Sequence, residues 1–177
     1  MEIRSGDEKT FRHVYDENFS VMMKIAYHIT YNTDVAEDIC QDAFIRFYDK
    51  NMYFPSADDA KFWLIRVTKN LAINHVKRKA REAASIEKIK KAPVSGNPFS
   101  DGASELLLHE SRQAVRKAVA ELPEIFRTVI VLREYGELDY KQIAKVLNIS
   151  ESNVKVRVHR ARKELEVLLS REDVDVS

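Results

Sequence analysis

The sequence predicts an all-α fold with two small helical domains joined by a flexible linker, the C-terminal one being a helix-turn-helix. Apolar residues recur at helical spacing along most of the 177 residues. Glycine and proline number only four each, which disfavours a turn-rich β fold. Half of both fall in residues 85–104, where helical periodicity stops. We therefore expect one domain at 1–84, a linker at 85–104 and a second domain at 105–177.

The first domain carries three helical patterns. The first has its apolar face between residues 11 and 29. The second is expected to begin at Asp34, which together with Glu37 resembles a capping box. Residues 51–59 are expected to form a turn, and a third helix should follow at 60–83.

The second domain carries four helical patterns. The first spans residues 104–121, and Pro123 suits the first turn of the next, which should end near Gly136. Asp139 and Ser150 are expected to cap the last two helices.

The net charge of +1 conceals two basic blocks. Residues 60–91 hold 10 Lys and Arg against 2 Asp and Glu, and residues 141–163 hold 7 against 1. Acidic stretches separate them, which favours two separate contacts with a polyanion. The alternative is that each block is a solvated helix face.

Residues 139–165 have the pattern of a helix-turn-helix, with a short helix, a three-residue turn and a longer basic helix. Val154, Val158 and Ala161 predict the buried stripe of the longer helix. Its opposite face suits base edges and phosphates in a major groove, although an ordinary helical hairpin is the alternative. The candidate DNA-binding residues are Ser152, Asn153, Lys155, Val156, Arg157, His159, Arg160 and Lys163.

Residues 61–81 combine aromatic, basic and amide side chains. Cations follow a nucleic-acid backbone, aromatic rings stack on unpaired bases, and asparagine reads base edges, so the segment suits single-stranded or melting DNA. For Phe62 and Trp63 the alternative is a place in a helical core. The candidate residues are Phe62, Trp63, Arg66, Asn70, Asn74, Lys77, Arg78 and Arg81.

Residues 33–50 place an acidic face over an apolar stripe, which suits docking of a basic partner helix. Paired carboxylates could also act as general acid and base or bind a metal, but no histidine cluster accompanies them. The acidic-face residues are Asp34, Glu37, Asp38, Gln41 and Asp42.

We expect no catalytic site, no cofactor and no metal. The five histidines are scattered, and Cys40 lies on an apolar stripe, where a core cysteine is the default. The first ten residues lack the apolar core of a signal peptide, and apolar runs fall far short of the ~20 residues that span a bilayer. We therefore expect a cytoplasmic protein with no membrane insertion of its own.

In this order, the three segments resemble the extracytoplasmic-function (ECF) group of bacterial sigma factors, over about residues 11–168. F-W-L-x-R-x-x-x-N at 62–70 is similar to that family's −10-element helix. L-P-x-x-x-R at 122–127, Y-x-x-I-A at 140–144 and V-K-x-R-x-x-R-A-R-x-x-L at 154–165 resemble its −35-binding domain. A third motif resembles the family's core-polymerase-binding helix, and it is formed by Asp34, Ala36, Glu37, Asp38, Gln41 and Phe44.

The resemblance implies a sigma factor that binds core RNA polymerase, recognises the −10 and −35 elements, helps melt the promoter and directs initiation. Its partners would be promoter DNA, the clamp helices and flap of the polymerase, and an anti-sigma factor. The non-template strand would lie along residues 51–81, with a flipped base near 51–59, and the linker would run toward the RNA exit path. The base-reading positions are matched by Lys155, Val156, His159 and Arg160.

Two residues depart from the family pattern. Asn153 stands where threonine is frequent, and Val156 stands where a small polar residue is frequent; Val156 could instead read a thymine methyl group. A stand-alone helix-turn-helix regulator is the main alternative, but it leaves the acidic and aromatic-basic segments unused. A nucleic-acid-processing enzyme is the third possibility, and the chain offers no catalytic constellation for it.

Overall fold

The computed structural model describes residues 2–87 and 103–175 of the chain. Within these two segments the fold is all-α, as predicted, with seven α-helices and one two-stranded ribbon. Most of the predicted linker lies outside the described residues. None of the helices in these segments has the length and apolarity needed to cross a lipid bilayer.

The first domain is built by α1 (Glu8–Thr30), α2 (Thr33–Asp49) and α3 (Ala57–Glu87). Each helix buries the apolar stripe that its periodicity predicts. The buried apolar residues are Val14, Met22, Ile25, Ala26 and Ile29 of α1, Ala36, Ile39, Cys40, Ala43, Phe44 and Phe47 of α2, and Ala60, Phe62, Leu64, Ile65 and Ala72 of α3.

Two helices of this domain begin earlier than the sequence predicts. The cap of α2 is Asn32, whose side chain accepts the Val35 amide at 2.9 Å, so the expected cap at Asp34 is wrong. Asp34 instead lies exposed in the first turn, where a carboxylate favours the helix dipole. The hydroxyl of Ser56 accepts the Asp59 amide at 3.2 Å, so α3 begins about a turn before its predicted start.

A short antiparallel ribbon links the N-terminus to the segment before α3. It pairs β1 (Ile3–Arg4) with β2 (Tyr53–Phe54), and Ile3 lies opposite Phe54. Two-residue strands are too short to show alternating hydrophobicity, so the sequence did not reveal them. Because Ile3 is fully buried and Phe54 is 5 % exposed, the ribbon anchors the predicted turn at 51–59 to the core.

Four helices form the second domain. A π-helical turn, Val131–Tyr135, continues its second helix and ends at Gly136, as the sequence predicts. The four helices are α4 (Ala103–Glu121), α5 (Glu124–Ile130), α6 (Tyr140–Leu147) and α7 (Glu151–Asp175).

Side-chain caps set the geometry of the helix-turn-helix formed by α6 and α7. Asp139 accepts the Gln142 amide at 2.7 Å, and Gln142 accepts the Asp139 amide at 2.9 Å, which makes the predicted capping box. Asn148 ends α6 with a left-handed φ of 54°. Ser150 then accepts the Asn153 amide at 3.1 Å, as predicted. The turn is therefore held at both ends, and the direction of α7 follows from it.

The two domains pack against each other. α1 contacts the π-helical turn, α3 contacts α6, and buried apolar residues from both domains form one continuous cluster. The approach is close at Gly136, where an added Cβ atom would lie 3.1 Å from Cδ1 of Ile25. Helical periodicity identifies buried faces but not their partners, so this contact was not predicted.

Candidate nucleic-acid interface

α7 presents the basic face that its periodicity predicts. Val154, Val158 and Ala161 are at most 1 % exposed and hold the helix on its own domain. Val156, between them in sequence, is 47 % exposed. The candidate residues are all exposed except half-buried Arg157; they are Ser152, Asn153, Lys155, Val156, Arg157, His159, Arg160 and Lys163.

Two pairs of side chains organise this face. Arg157 donates from Nε to Oδ1 of Asn153 at 2.8 Å, which leaves the terminal amino groups of the guanidinium for other acceptors. Lys155 forms a 3.0 Å ion pair with Glu151, one turn earlier. Asn153 therefore restrains an arginine that has the fork geometry needed for a guanine edge or a phosphate.

Arg162 belongs to the same basic motif but has a different role. Its Nη2 lies 2.8 Å from Oε1 of Glu134, and this hydrogen bond raises the pKa of Arg162. Because Glu134 lies in the π-helical turn, the pair ties α7 to the rest of its domain. Arg162 is thus a structural residue, and it is not among the candidate DNA-binding residues of α7.

α3 carries a row of polar side chains at helical spacing. The row is about 22 Å long, given a rise of 1.5 Å per residue over fifteen residues. That length suits several nucleotides of an extended strand. The members of the row, all exposed, are Arg66, Asn70, Asn74, Lys77, Arg78 and Arg81.

Of the two aromatic residues at the start of this row, Phe62 is buried in the core and Trp63 packs against it. Phe62 is only 6 % exposed, and Nζ of Lys145 lies 5.5 Å from its ring centroid. Trp63 is half-buried, with ring centroids 5.8 Å from Phe47 and 6.1 Å from Phe54. The core alternative therefore describes Phe62, and Trp63 supports the segment before α3.

Arg66 is exposed, but its guanidinium also donates hydrogen bonds to the second domain. Its Nε donates to the carbonyl of Val146 at 2.9 Å and its Nη2 donates to the carbonyl of Lys145 at 2.7 Å. Both carbonyls lie at the C-terminal end of α6, in the other domain. A candidate strand-binding residue of the first domain is thus held by the helix-turn-helix.

The acidic face of α2 is exposed, as predicted, at Asp34, Glu37, Asp38 and Gln41. Asp42 is half-buried and accepts two hydrogen bonds, both 2.9 Å, from Arg46.

Phe44 of the same motif is 3 % exposed and packs 4.6 Å from the Tyr15 ring. Because its ring is buried, Phe44 supports the α2 surface from below and is not exposed for the expected direct contact with a partner.

The α2 and α3 faces meet in one groove of about 1090 Å³. Asp38 and Asp42 line the α2 side, while Asn74, Arg78 and Arg81 line the α3 side. The predicted docking residues and the predicted strand-binding residues are therefore neighbours.

An aromatic groove of about 760 Å³ between α1 and α2 was missed by the sequence analysis. It is lined by Phe11, Tyr15, Ile45 and Tyr48, and it lies beside Gln41. Ile45 is 59 % exposed and Tyr48 is 45 % exposed. Aromatic residues at helical spacing are usually core residues, so only the exposed Ile45 could have signalled a surface.

Two groups with shifted pKa values lie away from these faces. Burial raises the pKa of the Cys40 thiol to about 12, which leaves almost no thiolate at neutral pH. Burial, with a contribution from Arg116, lowers the pKa of His28 to about 4, and its ring stacks on Tyr135 with centroids 3.4 Å apart.

Residues 14–82 match the family model for Sigma-70 region 2, and residues 112–165 match the model for Sigma-70, region 4. The fold and its two candidate DNA-binding faces therefore define a sigma factor, a transcription initiation factor. ECF RNA polymerase sigma factor SigM of Bacillus subtilis (strain 168) is 30 % identical over 162 residues, covering 88 % of this chain and 95 % of the relative. ECF RNA polymerase sigma factor SigW of the same organism is 29 % identical over 170 residues, covering 93 % and 91 %. The chain belongs to the ECF sigma-factor family and is a promoter-recognising RNA polymerase sigma factor.

Solved structures share the fold. The sigma factor RpoE, in complex with the anti-sigma factor NepR from Bartonella quintana, aligns with a TM-score of 0.66 at 23 % identity over 92 % of this chain and 98 % of that one. CnrH, in complex with the cytosolic domain of CnrY, aligns with a TM-score of 0.65 at 21 % identity over 94 % and 92 %. The region 2 match accounts for the first domain, which a stand-alone helix-turn-helix regulator leaves without a role.

Proposed function

We propose that the chain docks on core polymerase through α2, binds the −10 element along α3 and reads the −35 element with α7. The observation that carries the proposal is the two-sided character of α7. Val154, Val158 and Ala161 are buried, and the opposite face is exposed and basic next to a capped turn. This is the arrangement by which a recognition helix enters a major groove.

On α7 the proposed base-reading residues are Lys155, Val156, His159 and Arg160. Exposed Val156 offers an apolar contact to a thymine methyl group. Arg157, restrained by Asn153, contacts a base edge or phosphate. Ser152 and Lys163 supply contacts to the DNA backbone, which fix register rather than sequence.

On α3 the row from Arg66 to Arg81 holds the non-template strand. Phe62 positions α3 instead of stacking on a base, because its ring is buried in the core. Half-buried Trp63 packs against Phe47 and Phe54 and supports the 51–59 segment. That segment, anchored by the β1–β2 ribbon, is the proposed place for a flipped base. Flipping costs a few kcal/mol, which contacts in the pocket must offset.

On α2 the exposed residues Asp34, Glu37, Asp38 and Gln41 contact the polymerase clamp helices. Charge supports this assignment, because an acidic helix face complements a basic partner. Asp42 and Phe44 hold the surface in shape through Arg46 and Tyr15. The flap is the proposed contact of the second domain.

The domain division at 1–84, 85–104 and 105–177 is part of this proposal. The region 2 match ends at residue 82 and the region 4 match begins at residue 112, which supports it. The site of action is the cytoplasm, where core polymerase and promoters are found.

We also propose an anti-sigma partner, because one structural relative was solved with the anti-sigma factor NepR and another with the cytosolic domain of CnrY. Affinity purification of the native protein under non-inducing conditions should recover a stoichiometric partner that suppresses transcription. Recovery of the free protein or of the holoenzyme alone would count against this partner.

The test of the main proposal is run-off transcription with purified bacterial core polymerase on a genomic promoter library. We expect start-site-specific transcripts only when the protein is added, and their shared upstream sequences give the −10 and −35 elements. Lys155→Ala/Arg160→Ala should abolish promoter choice, and Asp38→Lys should weaken binding to the core enzyme. Lys9→Ala, an exposed change outside the proposed faces, serves as the matched control. Specific duplex binding without transcripts would overturn the proposal.

A further inference from the structure

A cavity of about 520 Å³ lies between α1 and α4, away from the residues proposed to bind polymerase and DNA. Its volume falls within the range of about 300–1,000 Å³ that is usual for small-molecule sites. Both domains contribute to its wall. The cavity is lined by Tyr27 and His28 of α1, by Arg112, Val115 and Arg116 of α4, and by Tyr135 of the π-helical turn.

Two arginines give this cavity a positive charge. Arg112 and Arg116 are exposed and four residues apart on α4, so their Cβ atoms lie about 5–6 Å from each other on one face of the helix. Within the described residues, neither guanidinium has a hydrogen bond or an ion pair, and no carboxylate lines the cavity. Like charges at this spacing destabilise a helix, so a bound anion would stabilise α4.

Aromatic rings form the rest of the wall. The His28 ring stacks on Tyr135 with centroids 3.4 Å apart, and the Tyr27 ring lies edge-on to it at 5.2 Å. The guanidinium carbon of Arg116 lies 5.6 Å from the Tyr27 ring centroid. Among the described residues, Nδ1 of His28 is buried with no hydrogen-bond partner, and such atoms often mark places where water or a ligand binds.

We infer that this cavity binds a nucleoside di- or triphosphate, with the phosphate chain on Arg112 and Arg116 and the base against the aromatic wall. A single carboxylate engages one guanidinium fork, whereas a chain of two or three phosphates carries enough oxygens to reach both. Aromatic side chains stack on every base, so the rings select the class of ligand and not one base. Because the ligand binds the folded chain, it stabilises that chain by mass action.

Calorimetry and thermal unfolding of the full chain test this binding, with ATP as the probe. We expect saturable binding and a melting temperature that rises with ATP concentration. Adenosine lacks the phosphate chain and inorganic triphosphate lacks the base, so each should bind at least about tenfold more weakly than ATP. The absence of saturable ATP binding, or an equal affinity for inorganic triphosphate, overturns the inference.

The double variant Arg112→Gln/Arg116→Gln tests the phosphate contacts. It should weaken ATP binding by at least about tenfold, because it removes charge-assisted hydrogen bonds. Lys9→Gln/Lys50→Gln is the matched control, since it removes the same charge at two exposed positions outside the cavity. Lys9 lies about 27 Å along α1 from Tyr27, at 1.5 Å per residue. The control should bind ATP as the native chain does, and equal losses in the two double variants overturn the inference.

The DNA-binding faces are also basic, so the place of the bound nucleotide must be mapped. Photo-cross-linking with 8-azido-ATP, followed by peptide mass spectrometry, should label a peptide that contains Tyr27 or Tyr135. The variant Lys155→Ala/Arg160→Ala should keep this labelling, because its substitutions lie on α7 outside the cavity. If only peptides of α3 or α7 are labelled, ATP occupies a DNA-binding face and the inference is wrong. The measurement needs neither polymerase nor promoter, so its outcome is independent of the proposed function.

Discussion

α3 and α7 both present basic and amide side chains at helical spacing, yet their surroundings differ. On α7, Lys155 pairs with Glu151 and Arg157 with Asn153, so both partners lie within the same helix. On α3, Arg66 and Lys77 bind groups of the other domain. The comparison teaches that a basic helical face identifies a DNA-binding surface only together with its tertiary partners. The α7 pairs stay within one helix, whereas two residues of the α3 row are held by the other domain.

The largest expected effect comes from placing a charge on the buried side of α7. Val158→Asp buries a carboxylate at a 1 % exposed position and should lower the free energy of unfolding of the second domain by about 3–5 kcal/mol. Val156→Asp, at a 47 % exposed position on the same helix, should change it by less than about 0.5 kcal/mol while weakening duplex binding. Urea denaturation and fluorescence anisotropy measure the two quantities. Similar losses of stability would mean that both positions are buried.

Recognition by α7 should depend on Arg160. Arg160→Ala is expected to cost about 1–3 kcal/mol in binding to a −35 duplex, because it removes hydrogen bonds to one base. Competition binding against a scrambled duplex measures the specific part. Lys163→Ala is the comparison variant, and it should weaken both duplexes alike. An equal loss on both duplexes for Arg160→Ala would instead make it a phosphate contact.

Acid should destabilise the contact between α1 and the π-helical turn, where His28 stacks on Tyr135. The groups facing His28 are Arg116 of α4, Tyr135 of the π-helical turn, and Tyr27 and Tyr31 of its own helix. Burial first, and Arg116 second, lower its pKa from 6.5 to about 4, so the unfolded chain binds the proton more tightly.

The stability that neutral His28 contributes should therefore be fully present above pH 6.5 and fall by about 1–2 kcal/mol between pH 6.5 and 4, once solvent screening is allowed for. His28→Phe keeps an aromatic ring against Tyr135 but cannot titrate, so its denaturation profile should lack this component. An unchanged profile in His28→Phe would assign the acid sensitivity to other groups.

The smallest expected effect concerns the hydrogen bond between Asn153 and Arg157 on α7. Asn153→Ala removes the acceptor that restrains Arg157 and should cost about 0.5–1 kcal/mol in −35 binding, the range of one hydrogen bond. If Asn153 acts through Arg157, the double variant Asn153→Ala/Arg157→Ala should lose less than the sum of the single losses. Strict additivity would give Asn153 its own contact with DNA.

Local patterns in the sequence predicted the all-α fold, the capping box at Asp139 and the exposure of α7. These features depend on neighbours within one or two turns, which periodicity and cap chemistry describe. The predicted start of α2 was wrong because Asn32 and Asp34 are both good caps, and only the backbone conformation selects Asn32.

Features that depend on distant neighbours were not predictable in the same way. Phe44 and Phe62 share motifs with exposed polar residues, and only packing shows that both rings are buried. Arg66 looks like any strand-binding cation until the end of α6 is placed beside it. The β1–β2 ribbon is too short to leave a pattern.

The π-helical turn Val131–Tyr135 closes with a hydrogen bond from the Gly136 amide to the Val131 carbonyl at 3.0 Å, five residues apart. Such a turn holds one residue more than an α-helical turn, and each residue advances an α-helix by about 100°. Tyr135 lies at its end, opposite His28. Deletion of a single residue from the turn would rotate the tyrosine by roughly a quarter of a circle about the helix axis. The rotation of one domain relative to the other about this helix axis thus depends on one extra residue. Deletion of Val131 or Leu132 would change that rotation without removing any charged side chain.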